Sequence, residues 1–194
     1  MWSPDGQALA FVEGRPETGN DVWVLPVQGD RQPRAIIQTR FSEAHPDFSP
    51  DGRWLAYASD ESGLSEVYVQ PYPGPGPRQQ VSTGGGMGPA WSRDGRELFY
   101  TTPQSFGGQA TPTKMMVVAV SLRPTFTAGH PRMLFQGRYG ATGIIRGYDV
   151  TADGRRFLMV QQKERPPVSA ADMILVQDWV EELKSRVPAK STRP

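Results

Sequence analysis

The 194-residue chain contains no cysteine. Disulfides, thiolate catalysis and cysteine-ligated zinc are thereby excluded, while the redox compartment stays open. It has only two histidines, His45 and His130, and no Gly-x-Ser-x-Gly elbow. A Ser-His-Asp hydrolase triad therefore has little to be built from. No apolar run reaches the length of a membrane-spanning helix and no signal peptide is read, so cytoplasmic and periplasmic localisation both stay open. Neither sign of charge is in excess: Lys and Arg number 21, Asp and Glu 20, for a formal net charge of +1. Without a basic stripe or aromatic residues interleaved with basic ones, nucleic acid is not an expected partner. There is also no glycine-rich phosphate loop. The strings His45-Pro46-Asp47 and Asp47-Phe48-Ser49 do not match the catalytic or metal-binding motifs of kinases, and no lysine strand precedes them, which excludes phosphoryl transfer by this chain.

What the chain does have is a phrase that returns four times: Trp2-Ser3-Pro4-Asp5-Gly6, Phe48-Ser49-Pro50-Asp51-Gly52, Trp91-Ser92-Arg93-Asp94-Gly95 and the worn Val150-Thr151-Ala152-Asp153-Gly154. Self-similarity at about 40 to 60 residues marks stacked supersecondary units, none of which buries its apolar surface alone. Each Asp-Gly is a hairpin signal, because glycine takes the positive backbone torsion that the turn requires. The second unit gives the template: alternating Arg53–Ala58, a polar loop at Asp60–Gly63, alternating Glu66–Gln70, and a fourth strand at Arg78–Ser82 after the proline-rich stretch from Pro71 to Pro77. Strands at Ala8–Val12, Asp21–Leu25, Glu97–Tyr100, Met115–Val120, Arg156–Val160 and Met173–Val176 fit the other units. Four-stranded antiparallel meanders repeated about an axis describe an all-β propeller; a β-solenoid, the rival, has shorter repeats. One domain with blades at about 1–40, 41–83, 84–140 and 141–179 is expected, followed by a helix and tail over 180–194.

An aromatic followed by Ser-Pro-Asp-Gly and an alternating strand resembles the TolB-type propeller repeat, a relative of the WD-repeat blade. Phe126-Thr127-Ala128-Gly129, Pro131-Arg132, Leu134-Phe135, Gly137-Arg138-Tyr139 and the ending Asp178–Lys184 further resemble the last blades of propellers attached to bacterial Ser/Thr protein kinases. The resemblance implies a bacterial propeller segment. Such propellers commonly close with six or more blades, so four turns imply an unclosed arc with its first and last blades incomplete and its start inside a longer ancestral sequence. Val180–Arg186 reads as a short helix, with Glu first and Lys/Arg last as its dipole favours. An open arc presents unpaired strand edges and apolar faces, so a homo-oligomer, most simply a dimer, is expected.

Aligning the repeats on Asp-Gly sets Glu43, Ala44, His45 and Asp47 beside Ile145, Arg146, Gly147 and Asp149, where the innermost strands converge at the channel mouth. Strict alternation would put Glu43 and His45 on one side of a strand. Glu43, His45, Asp47 and Asp149 are thus candidate ligands for a divalent metal, calcium or zinc, and His45, Glu43 and Arg146 the candidate catalytic residues; the competing reading makes His45 a hydrogen-bonded residue before proline. Asp5, Asp51, Asp94 and Asp153 read as turn caps, His130 as a loop residue, and Trp54, Tyr57, Tyr68, Tyr72 and Phe106 as packing between blades. The Asp60–Gly63 loop and the Pro103–Thr113 insertion are the candidate partner contacts. Two functions follow. The first is a non-enzymatic scaffold or binding module for a protein or small ligand; the alternative is a metal-dependent hydrolase of esters, lactones or phosphotriesters.

Overall fold

The recurring turn is the local device from which the fold is built. In the second repeat the Gly52 N–H donates to Ser49 C=O at 2.9 Å, and Ser49 N–H to Trp54 C=O at 2.9 Å. The Ser49 hydroxyl donates to Asp51 at 2.8 Å and accepts from Trp54 N–H at 3.0 Å, while Asp51 also accepts from Arg53 N–H at 3.2 Å. Ser3 with Asp5, Ser92 with Asp94 and Thr151 with Asp153 repeat the arrangement bond for bond. Gly6, Gly52, Gly95 and Gly154 all hold φ between 67° and 71°, a region that a side chain would strain. The four aspartates are therefore the turn caps that the sequence implies.

The computed structural model describes residues 1–74, 76–102, 112–140 and 146–161. Between its turns the described residues form four antiparallel sheets. The first contains β1 (Ala8–Arg15), β2 (Gly19–Pro26) and β3 (Arg34–Ile37), with Trp2 bridged to Leu9 on the inner side. The second is the meander β4 (Glu43–Phe48), β5 (Trp54–Ser59), β6 (Glu66–Pro71) and β7 (Gln79–Gln80). The third runs β8 (Met87–Trp91), β9 (Glu97–Thr101) and β10 (Thr113–Ser121). The outer edge of β10 is shared by β11 (Thr127–Ala128) and β12 (Arg132–Gly137). The fourth pairs β13 (Tyr148–Val150) with β14 (Phe157–Met159). The expected strand at Met173–Val176, the helix at Val180–Arg186, Phe106 and Ile145 lie outside the described residues, as does most of the Pro103–Thr113 insertion. No helix among the described residues is long and apolar enough to cross a membrane.

Period-two alternation feeds two cores at once, because each middle sheet is covered on both faces. Leu55, Tyr57 and Tyr68 of the second sheet meet Ala10, Val22 and Val24 of the first, with Tyr57 stacked on Tyr68 at 5.9 Å. The intervening residues Ala56, Val67 and Val69 turn the other way, onto Leu98, Tyr100 and Val118 of the third sheet. Phe99, Met115 and Val117 then face Tyr148, Val150 and Phe157 of the fourth. Trp54 sits beside Phe126 at 5.5 Å and Tyr72 meets Phe48 edge-on at 4.8 Å, so the aromatics named above as packing residues are packing residues wherever they are described. The fold is an all-β stack of propeller blades.

Candidate inter-blade cleft

β4 breaks its ladder where the candidate residues lie. Its register with β5 shifts between Ala44 and Asp47, and His45 occupies a left-handed backbone conformation with φ 56°. The alternation that would carry Glu43 and His45 to one side is interrupted by this bulge. Glu43 is instead buried, with one carboxylate oxygen accepting from the Thr39 hydroxyl at 2.6 Å and the Ser59 hydroxyl at 3.3 Å. Burial raises its pKa, which the two hydroxyls partly oppose.

Asp47, Arg146 and Asp149 do come together. The Arg146 guanidinium lies 3.6 Å from Asp47 and 3.6 Å from Asp149, and it donates to the carbonyls of Pro89 at 3.0 Å and Tyr148 at 3.2 Å. Asp47 accepts from Trp91 N–H at 3.1 Å, while the Trp91 indole donates to the Asp47 carbonyl at 3.1 Å. The Tyr148 hydroxyl donates to Gly88 C=O at 2.8 Å. The inner strands of the second, third and fourth sheets are thus joined by one network. Burial dominates at Asp47 and pushes its pKa up to about 6, against the pull of Arg146 and the Trp91 amide. Burial likewise drives the Tyr148 phenol far above its usual range.

The network borders a cleft of about 550 Å³ whose lining includes Leu9, Phe11 and Val12 of β1, Pro46 and Pro89, and the polar groups His45, Arg146, Tyr148 and Asp149. Ionised, Asp47, Arg146 and Asp149 sum to one negative charge. The cleft's described wall offers an apolar surface and a polar rim, where the one hydroxyl, that of Tyr148, is engaged by Gly88 C=O. Among the described residues no three or more His, Asp or Glu side chains group as a metal would need. Glu43 does not line the cleft, and His130 lies in the loop between β11 and β12, away from it. Trp91, Tyr148 and the carbonyls of Gly88 and Pro89 were not singled out by sequence. Trp91 had a signal, the aromatic that opens the repeat phrase; the carbonyls had none, since any residue supplies one.

Four blades that repeat one capped turn and share their cores pairwise define a propeller of the TolB type. Residues 1–155 match the TolB beta propeller domain, and the chain belongs to that family. Among curated proteins it is 33% identical over 102 residues to the Tricorn protease homolog 1 of Streptomyces coelicolor, covering 51% of this chain and 9% of that protein. It is 41% identical over 64 residues to the Tol-Pal system protein TolB of Thioalkalivibrio sulfidiphilus, covering 32% of this chain and 15% of that one. Among solved structures, a TolB-type protein of Agrobacterium tumefaciens superposes with a TM-score of 0.58 at 18% identity, over 70% of this chain and 47% of that chain. A puromycin-hydrolyzing peptidase of Mycobacterium tuberculosis gives a TM-score of 0.50 at 19% identity, over 68% of this chain and 22% of its own. The chain thus spans a small fraction of the curated relatives it matches. The likeness to kinase-attached propellers rests on the sequence motifs alone.

Proposed function

We propose that this chain is a non-enzymatic binding or scaffold module that holds a protein segment or small ligand in the inter-blade cleft and self-associates through its outer sheet faces. The observation that carries the reading is the cleft wall, in which apolar Leu9, Phe11 and Val12 stand with a rim of His45, Arg146 and Asp149, a mixed apolar and charged surface that suits a peptide or a small ligand. Arg146 already serves four partners, which suits a fixed recognition surface better than a group that must move during a reaction. The match to only 9% of a protease homologue supports a propeller that serves other parts of a larger machine. Self-association is supported by Leu158 at 77% and Val160 at 59% exposure, which share the face of the fourth sheet turned away from the third.

The test is co-elution of the protein with a tryptic peptide library, read by mass spectrometry, beside Phe11→Asp as a variant with a charged cleft wall. Retention of defined peptides by the wild type and their loss in Phe11→Asp is the expected outcome. Metal-dependent turnover of an ester, lactone or phosphotriester that disappears in His45→Ala would overturn it in favour of the hydrolase.

A further inference from the structure

The first sheet leaves part of its inner edge without a partner strand. In the second and third sheets that edge is covered by β4 and β8, whereas the first has three strands and, on this side, the bridge from Trp2 to Leu9. Ser3 N–H donates to Ala8 C=O at 2.9 Å, Ala10 N–H to Met1 C=O at 2.8 Å, and the Met1 ammonium to Ala10 C=O at 2.6 Å. Bonding direction alternates along an antiparallel strand, so the N–H and C=O groups of Val12 and Gly14 point the same way as those of Ala8 and Ala10. Among the described residues none of these four groups of Val12 and Gly14 has a backbone partner. The repeat shows what belongs there. Leu9 stands opposite Trp2 as Leu55 stands opposite Phe48, which sets Val12 and Glu13 level with Ala58 and Ser59, and those two are paired with Ala44 and Glu43 of β4. β1 still runs as a regular strand to Arg15, because its other edge is paired with β2 as far as Gly19. The bare stretch borders the cleft, whose lining includes Ala10 and Val12 together with His45, Pro46 and Pro89.

We infer that this edge takes up an extended peptide segment, which adds as a strand antiparallel to β1 and continues the pairing that Met1–Ser3 begin; the inference rests on the cleft as the binding site. Two backbone donors and two acceptors on a fixed strand give affinity that does not depend on the sequence of the peptide, and side chains then supply the preference. The residue between the two hydrogen-bonded pairs stands directly opposite Glu13, in the closer, non-hydrogen-bonded kind of pair. The Glu13 side chain is 41% exposed and its ion pair with Arg15, at 3.2 Å, lies in solvent, so a lysine or arginine opposite it joins an open carboxylate. Past Val12 the segment reaches the level at which β4 and β8 both leave their ladders, with register shifts between Ala44 and Asp47 and between Met87 and Ala90. An added strand that bends away there enters the cleft beside half-buried Leu9 and Phe11, where an apolar side chain is favoured. Proline is excluded opposite Val12 and Gly14, since it has no N–H to give. The partner is therefore a segment that reads basic, any residue but proline, apolar, in the direction of its chain.

The experiment uses a pool of acetylated, amidated pentapeptides with lysine second, phenylalanine fourth and valine, isoleucine or threonine elsewhere. Binding is read by retention on the immobilised protein and by amide hydrogen exchange of the protein in solution. The expected result is retention of the pool, exchange at Val12 and Gly14 slowed roughly tenfold or more, and retention weakened about two- to fivefold in Glu13→Gln. The same pool N-methylated at its first and third residues keeps every side chain, lacks the two donors and should not be retained. Val12→Pro should also lose retention while breaking no bond to β2, because the Val12 N–H points to the inner edge. Retention with exchange at Val12 and Gly14 unchanged, or equal retention of the methylated pool, would overturn strand addition and leave the cleft standing as a binding site. Protection of those amides by rising protein concentration alone would overturn it in favour of a second copy of the chain. Failure of the pool to bind at millimolar concentration would overturn it too, and the cleft reading falls with it only where the tryptic peptides also pass unretained.

Discussion

At Asp47 burial outweighs the arginine beside it. A carboxyl with a folded pKa near 6 and an unfolded value of about 3.9 binds its proton more tightly in the folded state. Its contribution to stability is complete below about pH 4 and is lost as pH rises through 6, a swing of roughly 3 kcal/mol at most. Urea denaturation at intervals between pH 4 and 8 should show this falling component, and Asp47→Asn should remove it while keeping the acceptor for the Trp91 amide. Gly88 is a second residue-scale hinge of the network. It holds φ at 60°, and a Cβ there would stand 3.2 Å from Cγ of Arg146 and 3.7 Å from Cε1 of Tyr148. Gly88→Ala should cost about 1–3 kcal/mol in chemical denaturation through backbone strain. In the same variant, displacement of Arg146 should weaken whatever ligand the cleft retains.

At the scale of the element, each inner strand of the stack serves two cores. Leu55 of β5 faces the first sheet, whereas Leu98 of β9 faces the second, and both are wholly buried. Truncating either to alanine should cost about 2–5 kcal/mol. Because the two belong to separate clusters, the double variant should add within about 0.5 kcal/mol, as measured by denaturant midpoints at constant m. A clear shortfall would mean that one blade unfolds first and takes its neighbour's contribution with it, the behaviour of a one-dimensional array.

For the whole molecule the question is what covers the outer faces. Leu158 and Val160 project from the sheet face opposite Phe157 and Met159, which are packed on the third blade. Paired apolar side chains of this kind on a sheet face favour association. Size-exclusion chromatography with light scattering should give a dimer or larger species for the wild type and a monomer for Leu158→Glu with Val160→Lys. Since neither residue lies in an inter-blade core among the described residues, the double change should alter the unfolding midpoint of the monomer by little, within about 0.5 kcal/mol per site.

The turns, the strands and the blade repeat were legible in the sequence because each rests on short-range chemistry. A serine two residues before an aspartate and three before a glycine closes its own hydrogen bonds, and alternation assigns Leu55 and Ala56 to opposite faces wherever the chain is extended. Alignment of the repeats also brought Asp47, Arg146 and Asp149 to one end of the blades, where the structure joins them. Only the tertiary structure decided the rest. The bulge that lifts His45 into a left-handed conformation breaks the alternation linking it to Glu43, and nothing local to that strand announces it. Asp21 reads in the sequence as one more strand acid, and its second oxygen is shut away from water only when β2 and β4 are packed together. Desolvation is set by what covers a group, and the covering residues come from repeats far apart in the chain.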